Sequence, residues 1–465
     1  MRNRKYRSPL ATGISLKSNK SSLEGAEGKN LLALATPIFF EFLLVNIVGN
    51  VDIIMLGKYS TEAVAAVGGV KQLLIIQNVI FGFICIGTTI LISQLLGAQE
   101  IQEVRGIVGA AILINLLIAA TLGGVYLLGH NYLLRWIRLP GPLAEIGRVY
   151  FRLVGGLCIF QAMTLTFGAV MKAYGHTKEV FYINLGVHLL NILGNSIFIF
   201  GMFGMPILGV SGVGISTVTA RGLGCFVSYR SMKRYCNFTF DVEGVRRVLI
   251  EKGRQILAIG VPTGGQYLCW SLAQLIILSF VNTMGSHTIE ARTYLMLVAS
   301  FIITFSLGLG QGTALQIGRL IGAGEKELVY RKCLRSTLIA FLIATFLSGV
   351  VVTNRLEILS LFKPGMEALN IAYGVFGWFF FLETGRVFNI IIIRSLHAAG
   401  DIRFPAVVGI ISPLVVAVSL AWILGIALGY GLVGIWAANG IEEWIRGLTM
   451  FFRWKSRRWE DKEFT

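Results

Sequence analysis

"GTTILISQLLGAQE", from Gly87 to Glu100, returns 225 residues later as "GTALQIGRLIGAGE", from Gly312 to Glu325. Seven positions coincide: Gly, Thr, Ile, Leu, Gly, Ala and Glu. The same offset carries Pro37 onto Pro262, each 60 residues ahead of its Gly-Ala pair (Gly97-Ala98 and Gly322-Ala323). It also lays Ala173-Tyr174-Gly175 over Ala398-Ala399-Gly400, and with a slip of three residues Gly209 and Gly212 meet Gly431 and Gly434. One unit has been used twice, and the fold follows from what that unit is.

The unit is a set of membrane spans. The 465 residues are 55% hydrophobic and 14% charged, with a mean hydropathy of +0.72. Such a surplus of apolar side chains needs lipid as its solvent. Apolar runs near the ~20 residues that cross a hydrocarbon core recur along the chain. Lipid leaves no backbone polar group unpaired, so the runs form helices or a closed barrel. Barrel strands would alternate at every second residue, and these runs do not. The reading is an all-α integral membrane protein of twelve spans: 30–56, 64–96, 106–129, 147–171, 178–201, 207–229, 255–284, 290–321, 330–352, 368–394, 402–428 and 430–453. A basic tail, 1–29, precedes a six-helix lobe, 30–229. A cytosolic linker, 230–254, leads to a second lobe, 255–453, and a tail, 454–465. Six spans separate the repeats, so the two pseudo-symmetric lobes share one orientation. Parallel duplications of this kind build transporters whose site lies at mid-membrane depth.

The formal charge of +17 is concentrated in the N-terminal tail, in 230–254 and after Arg453. An even span count puts these segments on one side, so both termini are expected in the cytoplasm, against anionic headgroups of a prokaryotic inner or plasma membrane. That distribution argues for lipid as the partner of the charge and against nucleic acid. The first apolar run starts after residue 30 and is as long as a full span, unlike a secretory signal. The six cysteines lack metal or redox spacing. No Walker-type GxxxxGK[ST], His-Glu-x-x-His motif or nucleophile elbow is present. An enzyme is not expected, nor a cofactor, and an ion gradient is left as the energy source.

An ionisable group deep in hydrocarbon costs at least ~2.5–3.5 kcal/mol. Each one therefore needs a reason. The first span holds Glu41 and Asp52, eleven residues and close to three helical turns apart, with Asn46 and Asn50 between. Asp52 is either an interfacial carboxylate near Lys58 or an ion-binding group facing a wet cavity. In the fifth span Asn184, His188, Asn191 and Asn195 fall at spacings of 4, 3 and 4, one polar stripe that either glues helices together or binds ions. Amide oxygens with a carboxylate suit Na⁺, and a carboxylate in a low-dielectric cavity suits H⁺. The eleventh span has only Ser412 and Ser419, so the ion site is expected in the first lobe. In the tenth span Glu383, Arg386 and Asn389 share a face, as a structural ion pair or as a coupling or gating element. Gln161 takes the place of Arg386 under the 225 offset, and Gln266 and Gln274 offer weaker polar signals for substrate or gating.

At this point the motifs resemble the multidrug and toxic compound extrusion (MATE) family. They are Pro37 followed by "VDIIMLG" from Val51, "QLLGA" from Gln94, "LNILGNSIFIFGMFGMPILGVSGVGIST" from Leu190 and "SLHAAGDIRFP" from Ser395. The resemblance spans residues 30 to 453. It implies two six-helix lobes that rock about a central site and act as a monomer. The function implied is a secondary antiporter exporting small cationic or amphipathic organic compounds in exchange for H⁺ or Na⁺. By position it makes Asp52 the carboxylate for the coupling cation, and Asn191 and Thr217 its companions. The chain departs from the pattern at Asn195, where one branch has an aspartate, and at Arg386, near the tenth-span acid of some members. Glu383 takes over there, or the second lobe binds no cation. A flippase for a lipid-linked sugar or cell-wall precursor is the alternative. It would favour several basic residues in the central cavity, where Arg386 is the one strong candidate.

Overall fold

A computed structural model describes residues 30–48, 51–237 and 242–462, except the side chains of 242–247. Among the described residues every regular element is helical. Span 1 is Leu31–Gly57, span 2 Thr61–Gly97, span 3 Ile101–Trp136, span 5 Thr177–Phe200 and span 6 Gly209–Tyr235. Span 4 joins Gly141–Gly155 to Ile159–Ala173 through a 41° bend. Span 7 is Val242–Asn282. Spans 8 to 11 are Ser286–Gly322, Lys326–Thr353, Met366–Ala398 and Arg403–Ala427. Span 12, Gly431–Lys455, carries Glu442, Glu443 and Arg446 within it.

Twelve helices in two lobes thus match the sequence expectation, with longer helices than it drew. Spans 2 and 8 run for 37 residues each, about 55 Å at 1.5 Å per residue. That exceeds a ~30 Å hydrocarbon core, so their ends stand in the headgroup layers or in water. The segment expected as a linker, 230–254, is largely helix for the same reason: span 6 runs to Tyr235 and span 7 begins at Val242. Helix geometry does not stop where hydrocarbon stops. Pro37 and Pro262 both lie inside continuous helical stretches.

The repeated segments touch each other. A Cβ at Gly97 would lie 2.0 Å from the carbonyl oxygen of Arg319, and one at Gly322 would lie 1.8 Å from that of Gln94. Spans 2 and 8 therefore cross backbone to backbone at a point that only glycine permits. Two hydrogen bonds flank the crossing and are images of one another under the 225 offset. Gln94 Nε2 donates to the Ala398 carbonyl at 2.8 Å, and Arg319 Nη2 donates to the Ala173 carbonyl at 2.8 Å. Each caps the end of a helix in the other lobe with a side chain, which satisfies a carbonyl the helix itself cannot use.

Spans 1 and 7 trade sides in the same symmetric way. Leu31 and Ala35 pack into the apolar core of the second lobe, whereas Ile256 and Ile259 pack into that of the first. Asn46 Nδ2 still reaches across to Thr304 Oγ1 at 3.0 Å. Farther along span 1, Val51–Gly57 packs on spans 2, 5 and 6 of its own lobe. The lobes are thus joined at the end of the bundle that carries the C-terminal residues, where Lys326 donates to the Glu460 carbonyl. A bulky side chain at the crossing must force these helices apart. Gly322→Leu is expected to cost on the order of 1–3 kcal/mol, read as a lower midpoint of thermal unfolding in detergent; an unchanged midpoint would contradict the contact.

Candidate functional site

The fifth span's stripe faces the interior of the first lobe and meets span 1 twice. Asn195 Nδ2 donates to Asp52 Oδ1 at 2.6 Å, and Asn184 Nδ2 donates to Glu41 Oε1 at 3.0 Å. Glu41 and Asp52 therefore address one face of span 5, as their spacing required. Between these layers Asn191 Nδ2 donates to Thr217 Oγ1 at 3.1 Å, and Ser216 Oγ donates to the Asn191 carbonyl at 2.9 Å. The stripe is both glue and lining. His188 is half-buried and feels the charges of Asp52, Arg221 and Glu41. Gln161 is half-buried on span 4, outside these contacts.

Each carboxylate has a cation that the sequence reading did not single out. Lys71 Nζ of span 2 lies 3.6 Å from Asp52 Oδ2, with side-chain exposures of 23% and 15%. Lys172 Nζ of span 4 lies 2.7 Å from Glu41 Oε1. The ammonium facing Asp52 is thus Lys71, and the neighbour that sequence proximity offered, Lys58, is exposed. Arg221 of span 6 adds a third cation within the electrostatic reach of Asp52 and Tyr150. Its Nη1, Asn195 Oδ1, Glu41 Oε2 and both amide atoms of Gln77 are buried without a protein hydrogen-bond partner. Such atoms are unusual in a packed interior and fit a chamber that takes in water or solutes.

The second lobe organises its charge differently. Arg386 Nη1 donates to Glu383 Oε1 at 2.5 Å, and Arg386 Nε lies 3.5 Å from Glu443. Arg446 lies 2.8 Å from both Glu442 and Glu443. Ser412 Oγ donates to Glu442 at 2.6 Å, and Asn389 Nδ2 donates to Glu443 Oε2 at 2.6 Å. The expected pair on span 10 is therefore part of a five-charge knot shared with span 12. Gln274 Nε2 donates to Asn439 at 3.1 Å, and Gln266 packs on Gly409 of span 11.

Glu442, Glu443 and Arg446 were legible in "IEEWIRG", where spacings of three and four put opposite charges on one helical face. They also correct the reading of Arg386 as the one strong basic candidate inside the membrane. Lys71, Lys172, Arg221 and Arg446 are further cations within spans. Among the described residues no group of three or more His, Cys, Asp or Glu could hold a metal ion.

The family model MatE matches the chain twice, over residues 37–197 and 262–423, and the two matches start one repeat offset apart. The chain belongs to the MatE family. A Bacillus subtilis relative, described as the uncharacterized transporter YisQ, is 36% identical over 433 residues, covering 93% of this chain and 95% of its own. A probable multidrug resistance protein NorM of Thermotoga maritima is 22% identical over 443 residues, covering 93% of each chain. The solved Vibrio cholerae MATE transporter VcmN, in its bent form, shares 19% identity at a TM-score of 0.83, covering 94% of this chain and 98% of that one. A MOP superfamily transporter from Pyrococcus furiosus aligns at a TM-score of 0.78 with 17% identity, over 94% and 97%. The fold of these structures is this chain's fold.

Removing a guanidinium from the MatE second-lobe knot leaves buried carboxylates without their counter-ion. Arg446→Leu is expected to cost about 3–5 kcal/mol. The expected result is a clearly lowered thermal midpoint, while Arg331→Ala, at an exposed pair with Glu327, leaves the midpoint where it was.

Proposed function

We propose that this MatE transporter exports small amphipathic organic molecules in exchange for H⁺ or Na⁺, with Asp52 as the coupling carboxylate. The carrying observation is that Asp52 turns inward, onto Asn195 of the amide stripe. A carboxylate inside a membrane lobe is retained at a cost and must be neutralised by a cation. A cation that binds from one side and leaves on the other couples that neutralisation to lobe movement. Asn195, Asn191, Thr217 and His188 supply the polar surroundings, and Glu41 with Lys172 forms a second layer towards the joined end. Glu383, Arg386 and Asn389 belong to a charged knot within the second lobe, and Gln161 and Gln266 are left as candidates for substrate contact or gating. On this reading the joined end faces the cytoplasm, which the basic residues of the two tails and of 230–254 support.

The flippase reading gains from Lys71, Lys172 and Arg221, because a lipid pyrophosphate needs basic partners. It loses because Lys71 and Lys172 each already face a carboxylate. Antiport is the better account.

The test is efflux of ethidium and rhodamine 6G from proteoliposomes under separately imposed pH and Na⁺ gradients. Wild type is expected to move dye only with a gradient, and Asp52→Asn to lose gradient-driven movement by an order of magnitude or more. Equal movement in both proteins, gradient or none, would refute coupling at Asp52.

A further inference from the structure

Lys71 is the one lysine or arginine between Thr61 and Gly97. An ammonium in an apolar span is as expensive as a carboxylate, and this one sits against the carboxylate proposed to take the coupling cation. Its Nζ faces Asp52 Oδ2 at 3.6 Å, while Asn195 Nδ2 holds Oδ1 at 2.6 Å. Both oxygens of Asp52 are thus turned towards donors, one of them already a cation.

A hard cation binds differently. It gathers several oxygens at about 2.3–2.6 Å and does not tolerate a second positive charge on the same carboxylate edge. The other charged and titratable groups around Asp52 do not relieve that conflict. Arg221 from span 6 is a further cation in its field, and Tyr150 from span 4 is neutral when protonated. His188 from span 5 is at best neutral. Glu41, on the same span, is engaged by Lys172 and Asn184. Fixed cations near Asp52 outnumber the carboxylate they face.

We propose that Lys71 selects the coupling ion: its ammonium takes the place that Na⁺ would occupy at Asp52, so Na⁺ is excluded from this carboxylate. The proposal rests on the reading of Asp52 as the coupling carboxylate and narrows the choice of ion made there. Lys71 acts as a resident counter-charge, and removing that charge while keeping the apolar stem should uncover a Na⁺ site.

The experiment is a titration of the purified full chain with NaCl against KCl at constant ionic strength, read as the midpoint of thermal unfolding. Wild type and Lys71→Arg are expected to respond alike to both salts. Lys71→Met is expected to gain a saturable Na⁺-specific rise, which disappears when Asp52→Asn is added. A Na⁺-specific rise in wild type that Lys71→Met leaves unaltered would overturn the proposal, and so would the absence of any rise in Lys71→Met. Should Lys71→Met not purify as a folded protein, Lys71→Gln is judged by the same criteria. The dye-efflux measurement stands apart from this one. Gradient-independent efflux removes the antiport reading whatever the titration shows, and Na⁺ stabilisation decides the role of Lys71 without any dye.

Discussion

Two glycines hold this molecule in its observed shape. Gly97 and Gly322 let spans 2 and 8 meet backbone to backbone, and no hydrophobic driving force is available in lipid to replace that contact. Dispersion between closely fitted backbones joins the lobes, and the flanking bonds from Gln94 and Arg319 tie each lobe to the end of a helix in the other. With spans 1 and 7 exchanged across the same seam, the lobes are joined at this end. The inward side of span 1 beyond Asn46 is then left to Asp52 and the amides of span 5.

The duplication did not keep the charges alike. In the first lobe the carboxylates lie about three turns apart on span 1, and each faces a separate cation, Lys71 for Asp52 and Lys172 for Glu41. A pair of that kind can exchange one partner at modest cost. In the second lobe three carboxylates and two guanidinium groups share one buried cluster. Breaking any contact there strands a charge in a low-dielectric interior. The same offset lays Gln94 on Arg319 and Gln161 on Arg386, charged in the second copy alone, and Asp52 on Ile277 and Lys71 on Met296, charged in the first copy alone.

How much of this was legible in the sequence follows from the range of each interaction. Span number, the parallel repeat and the inward face of span 5 depend on local composition and helical period, and all of them appear in the structure. Asp52 and Asn195 were expected in one candidate cation site because both break apolar runs, and the structure joins them by a hydrogen bond. The second partner of Asp52 was not expected, because Lys71 lies in a span whose periodicity says nothing of which neighbour it meets. Lys58 is nearer in sequence, yet tertiary packing chose Lys71. The charges of "IEEWIRG" were readable from their spacing, and the apolar residues around them masked the signal. Helix ends were drawn too short because hydropathy marks the hydrocarbon boundary, whereas the helices of 37 residues continue past it.

As proposed here, the lobes move relative to one another about the seam at Gly97 and Gly322, which stays closed, as the ionic state of Asp52 changes. The most direct test is the distance between spin labels at Lys58→Cys and His287→Cys, exposed positions by the ends of spans 2 and 8 away from the seam, in a background without the native cysteines, measured by electron–electron double resonance in lipid nanodiscs. A short and a longer population are expected, with their proportions shifted by Asp52→Asn. A single distance, identical with and without the Asp52 charge and under every imposed pH, would contradict the account.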